Sequence, residues 1–201
     1  MQKEEWFKIM NTFGFSENEK EYNKILKFYS ESHRKYHNVT HIDDCLAKCA
    51  LHEATRHNTA LQLAFWYHDV VYNSFRKDNE LKSAELAEIF LKRQAASEEM
   101  IQRVKKLIMV TLHNQEPNTE EEAYMMDIDF SILGTDNETY KEYTKNIRNE
   151  YRWVPWFLYK KKRKEILKMF LDKETLYFTN NFKNVYDRKA RLNIENEVTQ
   201  L

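Results

Sequence analysis

The adjacent pair His68-Asp69 follows a strongly apolar run, Ala60-Leu61 and Leu63 to Tyr67, and precedes Val70 and Val71. Burying an imidazole and a carboxylate in such surroundings is costly unless each is paired or bound. A divalent metal supplies that partner, because imidazole nitrogen and carboxylate oxygen together suit Mn, Fe, Co, Ni or Zn. Most isolated buried polar pairs are simply satisfied by protein groups, so the weight falls on what accompanies this one. His41, His113, Asp127 and Asp129 are the other candidates, the last two within the apolar stretch MMDIDFSILG. With Asp129 as the final member, the arrangement reads H-x26-HD-x43-H-x15-D.

Helices are the elements expected to bring these residues together. The chain has 2 Gly and 2 Pro in 201 residues, against ordinary usage of about 7% and 5%. Glycine-based hairpins and glycine-rich phosphate loops are thereby excluded. Ser16 with Glu19, and Thr40 with Asp43, read as capping boxes. They would start helices toward Tyr29 and Glu53, the second with His41 in its first turn. Thr59 to Tyr72 reads as a helix buried on most sides. Residues 73–77 form a loop, and Asp78 or Asn79 caps a helix from Glu80 to Arg93. Ser97 caps a helix that His113 ends. Thr119 with Glu122 starts another, and Thr135, Asp136 or Asn137 caps one from Glu138 to about Trp153. Val154-Pro155 breaks the pattern. Lys161 to Phe170 and Asn184 to Val198 are the last helices, with Leu176 to Phe182 as a connector. Facing helices of this kind can build one interior site. The expected fold class is all-α, a helical bundle.

Basic and acidic residues balance at 32 each, with 42% hydrophobic residues for a core. A net charge of zero gives no global attraction to nucleic acid or to an anionic membrane, so neither is expected as a partner. No apolar run approaches the ~18 residues of a membrane span, and MQKEEWFKIM holds no signal core. The chain reads as a cytoplasmic protein. One domain over 1–201 is expected, with the helices of about 138–201 packing on the metal-binding core. Cys45 and Cys49, four apart on one helix face, read as core thiols. His37 reads as a capping or supporting residue, and His33, His52 and His57 as surface residues. The basic run from Lys160 to Lys164 beside Trp153, Trp156, Phe157 and Tyr159 reads as a solvated helix start, with single-stranded nucleic acid as the rival ligand.

Three segments carry a resemblance: Tyr36-His37-Asn38-Val39-Thr40-His41-Ile42, Trp66-Tyr67-His68-Asp69-Val70-Val71-Tyr72 and Asp78-Asn79-Glu80-Leu81-Lys82-Ser83-Ala84. Thr111-Leu112-His113, Asp127 to Gly134 and Ile147 to Tyr151 continue it. Over roughly Phe28 to Ile194 the sequence resembles the HD superfamily of metal-dependent phosphohydrolases. The resemblance implies an HD-type helical domain with a divalent metal (Mn, Fe, Co, Ni, Zn or Mg) on His41, His68, Asp69 and Asp129. It implies hydrolysis of a small phosphate ester, a nucleotide by analogy, with a water that the metal activates attacking phosphorus. Asp69 and His113 would belong to the catalytic set, His113 as a substrate contact or a ligand to a second ion. Tyr72 stands where some relatives carry a glutamate, which leaves proton transfer to Glu80 or Asp78. Arg34, Lys82 and Arg148 lie near the motifs and are the candidate phosphate contacts. The alternative is a non-catalytic metal-containing module that binds a ligand or a protein.

Overall fold

Side-chain caps decide where several helices begin, and they correct two sequence expectations. In this computed structural model, which describes residues 3–201, helix α1 spans Lys3–Thr12 and α2 spans Glu19–Tyr29. Ser16 does not cap α2; Asn18 occupies that position in the left-handed conformation, φ 50°, without a side-chain cap. Helix α3, Val39–Leu51, is capped not by Thr40 but by Asn38, whose side-chain oxygen accepts from Thr40 N–H at 2.8 Å. Asn tolerates both backbone conformations and reaches the first free N–H groups readily.

Helix α4 is Thr59–Tyr67, capped by Asn58, and ends before the His68-Asp69 pair rather than at Tyr72. Helices α5, Asn79–Arg93, and α6, Glu98–Met109, follow. Ser97 caps α6 as expected, and a 3-10 turn at Val110–Leu112 extends it. Among the described residues there is no β-strand, so the class is all-α.

By packing, the chain forms two units, Met1–Glu116 and Pro117–Leu201. In the first, α4 is the central element: Ala60, Leu61 and Leu63 to Tyr67 are all buried, and α1, α3, α5 and α6 pack around it. The α1 helix buries Trp6, Ile9 and Met10 at i, i+3, i+4 spacing. Trp6 meets Trp66 edge-on at 5.2 Å between ring centres, a favoured aromatic geometry. Trp66 is itself fully buried, and its Nε1–H finds no acceptor, a cost of about 1–3 kcal/mol that the surrounding core offsets.

In the second unit, Thr119 caps α7, Glu120–Phe130, as expected: Glu122 N–H donates to Thr119 Oγ1, while Glu122 Oε2 accepts from Asn118 N–H at 2.7 Å. A 3-10 turn, Ser131–Gly134, follows, then α8, Asn137–Glu150, capped by Asp136. Helix α9, Trp156–Leu171, starts directly after Pro155 rather than at Lys161. A proline is harmless there because the first N–H groups of a helix have no internal partner. A short helix α10, Asn180–Phe182, runs through a π-turn, Lys183–Asp187, into α11, Arg188–Gln200. A Cβ on Gly134 would fall 2.6 Å from the Tyr186 carbonyl oxygen, so glycine is required by this close approach. Asn193 ties α11 to the 3-10 turn by donating to the Leu133 and Thr135 carbonyls at 2.9 and 3.0 Å.

Candidate metal centre

Two helix ends build the site in the first unit. His41 lies in the first turn of α3, set by the Asn38 cap. His68 closes the last turn of α4 by donating its N–H to the Ala64 carbonyl at 2.8 Å. The chain then turns away, with Val70 N–H on the Tyr67 carbonyl at 3.0 Å. This turn swings Asp69 beside the two imidazoles. His41 Nε2 lies 3.1 Å from His68 Nε2. Asp69 Oδ2 is 3.1 Å from His68 Nε2 and 3.5 Å from His41 Nε2. All three residues are buried.

These separations fit a shared cation. Ligand atoms ~2.0–2.1 Å from one metal lie about 3.0 Å apart at right angles and about 3.4 Å apart at the tetrahedral angle. His68 Nδ1 is 2.9 Å from the Phe65 carbonyl, which assigns a proton to Nδ1 and turns Nε2 toward the other two atoms. Such an outer hydrogen bond is the usual way a protein fixes a metal-binding imidazole.

Supporting groups hold Asp69. Its N–H donates to Tyr29 Oη at 3.1 Å. The Arg34 guanidinium, buried, donates to the Asp69 carbonyl at 2.5 Å, the Val70 carbonyl at 2.9 Å and the His37 carbonyl at 3.2 Å, with Nε on Glu31 at 3.0 Å. Ser83 Oγ, from α5, accepts Val71 N–H at 3.0 Å. Burial alone would raise the Asp69 pKa. The charges of His68 and His37 and hydrogen bonds from His41 and His68 outweigh it and hold the carboxyl well below its ordinary value. Tyr29 is pushed well above the usual phenol range, first by burial and then by the Asp69 carboxylate, so it stays a neutral hydroxyl at physiological pH.

Cys45 was expected to be a plain core thiol, and it is buried. It also stands one turn after His41, with Sγ 3.9 Å from both ring nitrogens. Ligand atoms of His41, Cys45 and His68 all fall within 4.8 Å of one another. The i, i+4 spacing from His41 was the available signal. Cys49 keeps the core role: burial pushes its thiol up to about 12. Tyr29 carried no sequence signal, and Ser83 stood in the third resemblance segment without a role assigned to it.

The remaining expected residues have these places. Asp78 precedes α5 and pairs with Arg76 at 2.7 and 2.6 Å, while Glu80 stands in the first turn of α5. Lys82 pairs with Glu85 at 2.7 Å. Arg34, Arg76, Lys82, His33 and Tyr72 line one cleft of ≈ 470 Å³. His113 ends the 3-10 turn after α6 with φ 51°. In the second unit, the Arg148 guanidinium donates to the Tyr151 and Val154 carbonyls at 2.5 and 3.1 Å and lies over the Tyr159 ring at 4.7 Å. Asp127 is fully buried, and its carboxylate accepts from Phe178 N–H, Thr179 N–H and Thr179 Oγ1 at 2.7–2.8 Å. Asp129 is half-buried in the last turn of α7.

The structure thus brings together His41, His68 and Asp69, adds Cys45, and forms a buried group able to hold a metal ion. Comparison with protein-family profiles, with curated protein sequences and with solved structures returns no match to this chain.

Proposed function

We propose that this protein is a metal-dependent phosphohydrolase of the HD type acting on a small phosphate ester, with nucleotides as the substrate class to test first. The observation that carries this reading is the triangle of His41, His68 and Asp69 atoms, 3.1–3.5 Å apart in a buried setting. A divalent cation held there supplies Lewis acidity toward a phosphate oxygen and lowers the pKa of water.

The chain's own residues do the rest. His41, His68 and Asp69 would hold the ion, with Asp129 as the remaining ligand that the resemblance implies; Asp127 is committed to the Phe178-Thr179 backbone. Arg34 holds the Asp69-Val70 carbonyls, so its main effect is to position the ligand turn. Arg76 and Lys82 lie in the cleft that Arg34 also lines and would meet phosphate oxygens there. The Arg76 hydrogen bonds hold the Asp78 carboxyl low, making it a poor base. Proton handling therefore falls to Glu80, with His113 as a substrate contact.

Elemental analysis of the purified protein comes first, then a panel of phosphate esters assayed with Mn, Co, Ni, Mg and Zn. Phosphate release that disappears together with bound metal in Asp69→Ala supports the proposal. Metal without turnover on any ester points instead to a metal-containing binding module. A protein that binds no metal overturns both.

A further inference from the structure

The approach to α9 segregates apolar and basic side chains along a single helix. Trp153, Trp156, Phe157 and Leu158 are exposed to 47%, 53%, 70% and 47%. Large apolar groups clustered this openly mark an interaction site more often than chance surface. Immediately behind them comes Lys160 to Lys164, and no acidic residue occurs between Glu150 and Glu165. Arg163 turns inward to Glu197, and Lys162 makes an exposed pair with Glu165 at 3.4 Å. The other lysines, with Arg152, leave a local excess of positive charge that the net charge of zero conceals.

The tip is braced. Arg148 fixes the Tyr151 and Val154 carbonyls and lies 5.5 Å from the Trp156 ring centre. Trp156 stacks on Tyr159 with ring centres 5.8 Å apart. These contacts hold the first turn of α9 in place while its apolar groups face solvent.

We propose that this tip docks on an anionic phospholipid bilayer, with the aromatic turn entering the interface and the lysines contacting headgroup phosphates. A rise of ~1.5 Å per residue puts Lys161 about 6 Å along the axis from Phe157. That matches the ~5–10 Å to which apolar groups of interfacial helices sink. Tryptophan and basic residues are the side chains that favour this boundary. A second copy of the chain is a poorer occupant, because a two-fold contact through this patch would set its basic residues against their own kind. Single-stranded nucleic acid wants aromatics and cations interleaved along a groove, whereas here the aromatics lie at one end and the cations behind them. No helix among the described residues is long and apolar enough to cross a membrane, so the contact is peripheral.

The full chain is to be sedimented with vesicles of phosphatidylcholine alone and of equal parts phosphatidylcholine and phosphatidylserine. Binding is expected to the mixed vesicles, weakening as salt is added. Phe157→Ser is expected to reduce it at least about tenfold through lost apolar burial. Lys161→Ala with Lys162→Ala is expected to reduce it about tenfold or more and to remove the preference for phosphatidylserine. All three positions are exposed, and circular dichroism checks that the fold persists; Trp153→Ser replaces any variant that unfolds. No binding to mixed vesicles, or binding unchanged by Phe157→Ser, overturns the proposal. So does a dimer in light scattering that Phe157→Ser dissolves, or capture of poly-uridylate in preference to vesicles.

Discussion

Each of the two units buries a polar cluster, and the two are about equally hidden from solvent. In the first, the side chains of His41, His68 and Asp69 are 2%, 1% and 12% exposed. In the second, Arg163 and Glu197 are 10% and 11% exposed. Burial does not distinguish them; the balance of donors and acceptors does. Arg163 Nε and Nη2 meet Glu197 Oε1 and Oε2 at 2.8 and 3.0 Å, and Tyr140 Oη donates to Oε2 at 2.6 Å. Charge cancels, and each converging acceptor meets a donor. Around Asp69 the converging atoms are two imidazole nitrogens and a carboxylate oxygen, with the His68 proton already assigned to the Phe65 carbonyl. These three atoms lie 3.1–3.5 Å apart, a spacing that a shared cation also gives its ligands. A cluster that closes on itself supports the fold, and one that gathers metal-ligand atoms at this spacing can also hold a cation.

The largest effect tests the closed cluster. Arg163→Ala leaves Glu197 buried without its counter-charge and is expected to cost about 3–5 kcal/mol in urea unfolding. Metal content should not change in the folded fraction. Replacing both partners by apolar residues, Arg163→Met with Glu197→Leu, should return most of that loss. If the single and double variants are equally unstable, the pair is not the self-satisfied unit its geometry describes.

The open cluster should respond to metal instead. Added metal at roughly a hundred to a thousand times its dissociation constant is expected to stabilise the protein by about 2.7–4.1 kcal/mol. A chelator should reverse this, and Asp69→Ala should abolish it, both read as shifts in the unfolding midpoint. Acid should act in two stages. Metal is released as the imidazoles protonate. In the metal-free protein, the depressed Asp69 carboxyl contributes stability that is fully present above the ordinary carboxylate pKa and lost as pH falls through its lower folded value. Asp69→Asn should therefore flatten stability against pH below about pH 4 and lower it across the neutral range, where the ionised carboxyl contributes in full. A single loss centred at one pH would mean that metal release and Asp69 titration are the same event.

Arg34→Lys distinguishes positioning from phosphate binding. A lysine cannot reproduce the fork that spans the Asp69, Val70 and His37 carbonyls. Metal affinity is expected to fall about 10–100-fold, the usual range for residues that orient ligands. A change in substrate KM with metal affinity intact would return Arg34 to the role of phosphate contact.

What the sequence made legible follows from how local each signal is. The caps of α6 and α7 were readable because Ser97 and Thr119 bond N–H groups three residues on. The start of α3 was misplaced by two residues because Asn38 and Thr40 are both good caps, and only backbone geometry decides between them. The position of His68-Asp69 at an apolar helix end was visible from composition alone. The end of α4 at Tyr67 was not, because Val70 and Val71 continue the apolar run while bonding to the turn and to Ser83. The role of Arg34 and the neighbourhood of Cys45 depend on helices meeting in space, which periodicity does not encode.

The smallest expected effect returns to those caps, since each cluster has a member in the first turn of a capped helix. Asn38 caps α3, which carries His41, and Asp136 caps α8, which carries Tyr140. Asn38→Ala is expected to cost about 1 kcal/mol of stability. It should also weaken metal binding, because fraying the first turn frees the His41 ring from the position that places Nε2 near His68. Asp136→Ala should lower stability without affecting metal. Measured side by side, the two caps ask whether the open cluster depends on a rigid helix start. A metal affinity unmoved by Asn38→Ala would mean that the bound ion itself, rather than the cap, holds His41 in place.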